Sequence, residues 1–176
     1  MSFARTFSSA SVLAFVIWAQ VTLSAHAQVD ESALKAAYIY NFTQFTTWPP
    51  GSLSDTTLLV CANRDSDLGG ALSKLDGRTV GGHAWSVVSM PTKNGQGRCN
   101  VIVLESEEQI SHAAKDVLSP EQPILVISDF DTGDHTAVIR LFTDENHLHF
   151  DIENQQALRR HLSLSSKLLR LARNVL

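Results

Sequence analysis

The chain has 176 residues, 44% of them hydrophobic, with 14 Lys and Arg against 18 Asp and Glu and a formal net charge of −4. A weakly acidic chain without a long basic run argues against a nucleic-acid partner. Its length, the absence of repeats and the absence of a linker-like stretch point to one globular domain behind a short leader.

Arg5 is the only Lys, Arg, Asp or Glu among the first 27 residues, and an apolar stretch from Val12 to Leu23 follows it. Ala25-His26-Ala27 then supplies the small-x-small exit that signal peptidase needs. Residues 1–27 therefore read as a secretory signal peptide cleaved after Ala27, with residues 28–176 as the exported domain. The apolar stretch is short for a membrane span and is interrupted by Gln20 and Thr22.

Residues 31–48 read as a helix, with Leu34, Tyr38, Phe42 and Phe45 on one face and Trp48-Pro49-Pro50 as its end. Thr57 to Asn63 is a short continuous apolar run of the kind that forms a strand buried on both faces. A short helix follows over 68–75, with Gly77 beyond it and a Gly81-Gly82 turn. Strands are expected over 85–90, 99–104 and 124–128, with a helix over 105–118 between the last two. This alternation favours parallel pairing through helical crossovers.

The pattern changes after Ser128. Residues 137–143 and 147–153 are joined by a connection too short for anything but an antiparallel hairpin. In the second of these strands Leu148, Phe150 and Ile152 alternate with His147, His149, Asp151 and Glu153, which suggests one dry and one wet face. A helix starts at 154–161, and 163–175 reads as a last helix with an apolar stripe at Leu164, Leu168, Leu171, Ala172 and Val175. The expected fold is α/β: a single three-layer domain with a mostly parallel central sheet, a C-terminal antiparallel hairpin and helices on both faces.

Export places Cys61 and Cys99 in an oxidising space, which favours a disulfide; two buried thiols are the other reading. Asp129, Asp131 and Asp134 sit after an apolar strand, where α/β proteins place ligand sites, so this acidic loop is a candidate ligand or ion site. A solvated turn capped by Asp side chains is the plainer reading. His147 and His149 have zinc-ligand spacing on a strand, but no third ligand is identifiable and a water-facing strand explains them. No nucleophile elbow, Walker loop or zinc-protease helix is present. The sequence thus argues for binding rather than catalysis and calls for no metal or cofactor.

The segment ALKAAYIYNFTQFTTWP (Ala33 to Pro49) resembles the opening signature of the YfiR-like family of periplasmic proteins. LSSKLLRLARNV (Leu164 to Val175) resembles that family's closing helix, and LLVCAN, CNVIVL, ILVISD and LHFDIEN follow in the family's order between them. The resemblance implies a small exported α/β domain without catalysis. Such a protein restrains an inner-membrane diguanylate cyclase by binding its periplasmic sensor domain, and an outer-membrane lipoprotein relieves the restraint by sequestering it. Lower cyclic-di-GMP and less biofilm would follow. The resemblance also maps the family's cysteine pair onto Cys61 and Cys99 and leaves room for a homodimer. The chain departs from the family after Cys99, where many members carry His and this one carries Asn100.

Overall fold

The computed structural model describes residues 30–54, 56–91, 98–112, 118–133 and 136–176. The leader, the connection at 92–97, the second half of the helix expected over 105–118, and Asp134 lie outside the described residues.

Helix α1 (Glu31–Gln44) is started by Asp30, whose carboxylate accepts the Ser32 N–H at 3.1 Å. It ends before the Trp-Pro boundary, a correction to the expected 31–48. Thr46 is β-branched and its hydroxyl donates to Phe42 O at 2.8 Å. Thr46 and Thr47 form β1 (Thr46–Thr47), which pairs antiparallel with β9 (Ser163–Leu164). The ladder bonds to a partner far along the chain and outcompetes another turn of helix.

The eight-stranded sheet contains, in chain order, β2 (Thr57–Ala62), β3 (Thr79–Val80), β4 (His83–Ser89), β5 (Val101–Leu104), β6 (Leu125–Ser128), β7 (Ile139–Asp144), β8 (His147–Ile152) and β10 (Asn174–Val175). Their spatial order is β10-β8-β7-β6-β5-β2-β4-β3. All neighbours are parallel except β7–β8 and β3–β4. The β7–β8 turn is the two residues Glu145 and Asn146, both at positive φ, one fewer than the sequence suggested.

β5 and β6 are buried at every position because both faces of the sheet are covered. Val60, Val101, Val103, Leu125 and Ile127 point into the larger core, with Ile39 and Phe42 of α1, Leu72 of α2 (Asp67–Ser73), Ala157 of α4 (Asn154–Arg159) and Leu168 of α5 (Ser166–Leu171). Cys61, Ile102, Leu104, Ile124 and Val126 point to the other face, where Ile110 of α3 (Glu107–His112) covers a smaller core. The α/β architecture, mostly parallel sheet, C-terminal hairpin and helices on both faces are as expected.

The last helix is the second correction. Residues 163–175 do not form one helix: Leu164 is in β9, Ser165 caps α5 by accepting the Leu168 N–H at 3.2 Å, and Ala172 turns extended at ψ 146°. Asn174 and Val175 then add the edge strand β10 to β8. The apolar stripe is therefore split. Leu164 and Leu168 are buried, whereas Leu171 and Val175 are exposed. β8 also departs from simple alternation, because Asp151 is buried together with Phe150 and Ile152.

Candidate functional site

The carboxyl ends of β2, β5 and β6 lie side by side, and each continues into polar residues. Past β2 comes Ser66, the N-cap of α2, whose hydroxyl accepts the Gly69 N–H at 2.9 Å. Its oxygen also lies 2.8 Å from both Asn63 O and Glu105 Oε1. Past β5 comes Glu105, and past β6 comes Asp129. Lys35, on the first turns of α1, reaches over these ends. Its Nζ stands 2.8 Å from Asp129 Oδ2 and 2.9 Å from Glu31 Oε1. Together these groups line an open cleft of about 520 Å³.

The electrostatics of the cleft follow from burial and pairing. Burial pulls the Lys35 ammonium down, but its bonds to Asp129 and Glu31 outweigh that, and its pKa sits above the ordinary value. Burial raises the Glu105 carboxyl; the Ser66 hydroxyl opposes the rise, while the charges of Asp129 and Asp67 add to it. The cleft is an acid-rich pocket clamped by one cation, an arrangement that fixes charges in place.

The structure separates the residues of the acidic loop. Asp129 is held by Lys35 in this cleft. Asp131 lines a different cavity of about 360 Å³, where Arg140 lies 3.1 Å from it. Asp131 Oδ1 accepts the Gly133 N–H at 3.0 Å, as an Asp in a turn does. The same Arg140 donates to the buried Asp151 at 2.8 Å, and Asn174 donates to the other Asp151 oxygen at 2.9 Å. These two bonds explain how a carboxylate tolerates burial in β8.

His149 stacks on Phe142, with ring centroids 5.9 Å apart, and Arg140 and Arg173 lie 5.2 and 5.3 Å from the same ring. His147 Nδ1 lies 2.8 Å from Glu145 O. Among the described residues no three His, Cys, Asp or Glu side chains are grouped to hold a metal ion.

Cys61 and Cys99 form a disulfide that closes a loop with a sequence separation of 38. It lies in the smaller core, with Cys61 1% and Cys99 7% exposed. Asn100, the departure noted above, is buried beside it and ties strands together. Its Oδ1 accepts the Leu59 N–H at 2.9 Å, and its own N–H donates to Leu59 O at 2.8 Å.

Nothing in the sequence around Arg160 marks it as buried. It is 1% exposed and donates to Ser119 O, Leu118 O and Thr136 O at 3.0, 3.1 and 3.5 Å. Burial pulls its pKa down to about 10, which still leaves it charged at neutral pH. Lys35 and Arg140 were equally invisible as partners, because the ion pairs they make span 94 and 11 residues.

No described helix is long and apolar enough to cross a membrane. No curated relative matches the chain. The family model described as YfiR/HmsC-like matches residues 32–173, nearly the whole of the described structure.

Proposed function

Because the chain belongs to the YfiR/HmsC-like family, we propose that it is an exported regulator that binds the periplasmic sensor domain of an inner-membrane diguanylate cyclase and lowers cyclic-di-GMP output. The family match over residues 32–173 carries the reading. The leader at residues 1–27, cleaved after Ala27, delivers the domain to the periplasm. Binding works by population shift: contact with one conformation of the sensor domain depletes the active one. An outer-membrane lipoprotein that sequesters the regulator, and a homodimer, belong to the same proposal.

Two features favour a binding protein. The described polar clusters are closed by their own ion pairs, as at Lys35–Asp129 and Arg140–Asp151. Among the described residues the large apolar side chains left exposed are Leu158 in α4, Leu171 in α5, Val175 in β10 and Leu176 just after it. Exposed apolar groups of this size are what a protein partner covers.

The test is intracellular cyclic-di-GMP in the host. Cells lacking the protein are compared with cells given it back, cells given a form without residues 1–27, and cells given Leu171→Glu. Loss raises the level and only the exported wild-type form lowers it again. Equal levels in all strains, with each form detected at equal abundance, refute the repressor role. A mature protein beginning elsewhere than Gln28 refutes the cleavage site.

A further inference from the structure

A cleft of about 310 Å³ opens where the end of α1 and β1 meet β2 and the β3–β4 turn. Its size is at the lower end of small-molecule sites. Trp48, Leu53, Leu58, Val80 and His83 are among the residues that line it, together with Thr43, Thr46 and Thr47.

Two buried ring nitrogens of lining residues have no hydrogen-bond partner among the described residues: Trp48 Nε1 and His83 Nδ1. Trp48 is only 8% exposed. An indole N–H is a donor and nothing else, so what is missing from it is an acceptor atom. Buried donors are rarely left without one, because desolvation is then uncompensated. Both nitrogens belong to side chains that line one cleft, so an occupant of that cleft is the candidate partner for both.

The rest of the lining narrows the chemistry. The Thr43 and Thr46 hydroxyls donate their protons back to Tyr40 O and Phe42 O, at 2.7 and 2.8 Å. The two cavities holding Asp129 and Asp131 are lined by several carboxylates each. Among the described residues that line this cleft there is no carboxylate, and His83 is the one ionisable group. Leu53, Leu58 and Val80 give it an apolar wall.

We propose that this cleft binds a small organic molecule with an apolar body and an acceptor oxygen, a carboxylate or amide carbonyl, that takes the Trp48 indole N–H, with His83 Nδ1 as its second polar contact. The site is separate from the acidic loop and does not depend on the partner-binding role.

The test uses the exported protein labelled with nitrogen-15 and reads the indole N–H signals. Trp85 is an internal control: its Nε1 is also buried and unpartnered, but it does not line the cleft. The probes are butyrate, butyramide and butylamine. Butyrate or butyramide moves the Trp48 signal saturably and leaves Trp85 still, while butylamine, which offers no acceptor oxygen, does nothing. Response to butyrate alone assigns the site to carboxylates; response to both assigns it to carbonyl oxygens in general. His83→Ala weakens the binding about tenfold, the loss of one buried hydrogen bond. Trp48→Phe, followed by calorimetry, does the same, and a well-dispersed spectrum shows that each variant is folded. The proposal is overturned if neither acceptor probe gives a saturable shift, which would mean that water alone fills the cleft. Equal response to butylamine, or equal movement of Trp85, overturns it as well.

Discussion

Lys35 Nζ lies 2.8 Å from Asp129 Oδ2, and this contact fastens the first helix to the end of the central strand β6 across 94 residues. Both side chains are more than four-fifths buried, at 15% and 18% exposure. Lys35→Met leaves Asp129 among Glu31 and Glu105 without its cation, and destabilises the protein by about 2 kcal/mol in urea denaturation. Paired with Asp129→Asn in a double-mutant cycle, it shows a coupling of about 1 kcal/mol. The Lys35 pKa is raised in the folded state, so its contribution is complete below the ordinary lysine range and is lost as the pH climbs through the elevated value. A fall in stability on the alkaline side that is smaller in Lys35→Met checks this sign.

Glu105 behaves in the opposite sense. Burial raises its carboxyl in the folded protein, so the folded state holds its proton more tightly than the unfolded chain. Stability therefore falls as pH rises from the ordinary carboxylate range through the raised value. Glu105→Gln removes that loss and still offers an oxygen to Ser66. The variant unfolds at higher urea than wild type at neutral pH, and the difference closes under acid conditions. A variant less stable at neutral pH would contradict the assignment.

Gly69 has no room for a side chain. A Cβ there would strike the carbonyl of Asn63, which is backbone and cannot swing away, whereas a Cβ on Gly70 meets nothing within 4 Å. Gly69→Ala thus costs about 1–3 kcal/mol as an overpacking change, measured by urea denaturation. Gly70→Ala, in the same helix α2, gains up to about 1 kcal/mol from helix propensity. Opposite signs at adjacent glycines separate close approach from mere flexibility.

The Cys61–Cys99 bond closes a loop with a sequence separation of 38, and on the chain-entropy relation its loss costs about 4 kcal/mol. Both sulfurs are buried, so Cys61→Ala with Cys99→Ala lowers the unfolding free energy by that amount, and the denaturation midpoint with it, while native-like circular dichroism persists in dilute buffer. Thiol labelling of the unreduced exported protein in denaturant should find no reactive cysteine. Two labelled thiols per chain would refute the bond in the exported form.

Arg160 holds the carbonyls of Leu118, Ser119 and Thr136 from beneath. Arg160→Met removes their charged donor and costs about 2 kcal/mol, less than three charged hydrogen bonds, because the change also removes the penalty of burying a cation. Hydrogen exchange should quicken at 118–119 and 136 before it does in β5 or β6.

Legibility followed the range of the interaction. The buried strands β2, β5 and β6 were readable because continuous apolar runs need only their own composition to declare themselves. The β7–β8 hairpin was readable because its connection is too short to permit anything else. The last segment was misread: Leu164, Leu168, Leu171 and Val175 keep helical spacing, but Thr46 recruits Leu164 into a ladder and β8 recruits Val175. Neither competitor is visible from within the segment. The same limit hid Lys35 as the partner of Asp129 and Trp48 as a neighbour of His83. Asp129 and Asp131 looked like one loop site because they are two residues apart, yet their cations come from α1 and β7 and draw them into different cavities.

The two-residue ladder between β1 and β9 bears on the order in which the protein is made. Thr46 emerges from the ribosome long before Leu164, and Phe45 long before Ser165, whose N–H closes on the Phe45 carbonyl at 2.9 Å. The end of α1 therefore waits, unlatched, until β9 has been synthesised. A chain that cannot fasten this helix end early keeps it pliable while the intervening residues are made. The latch closes only when the segment around Leu164 and Ser165 arrives.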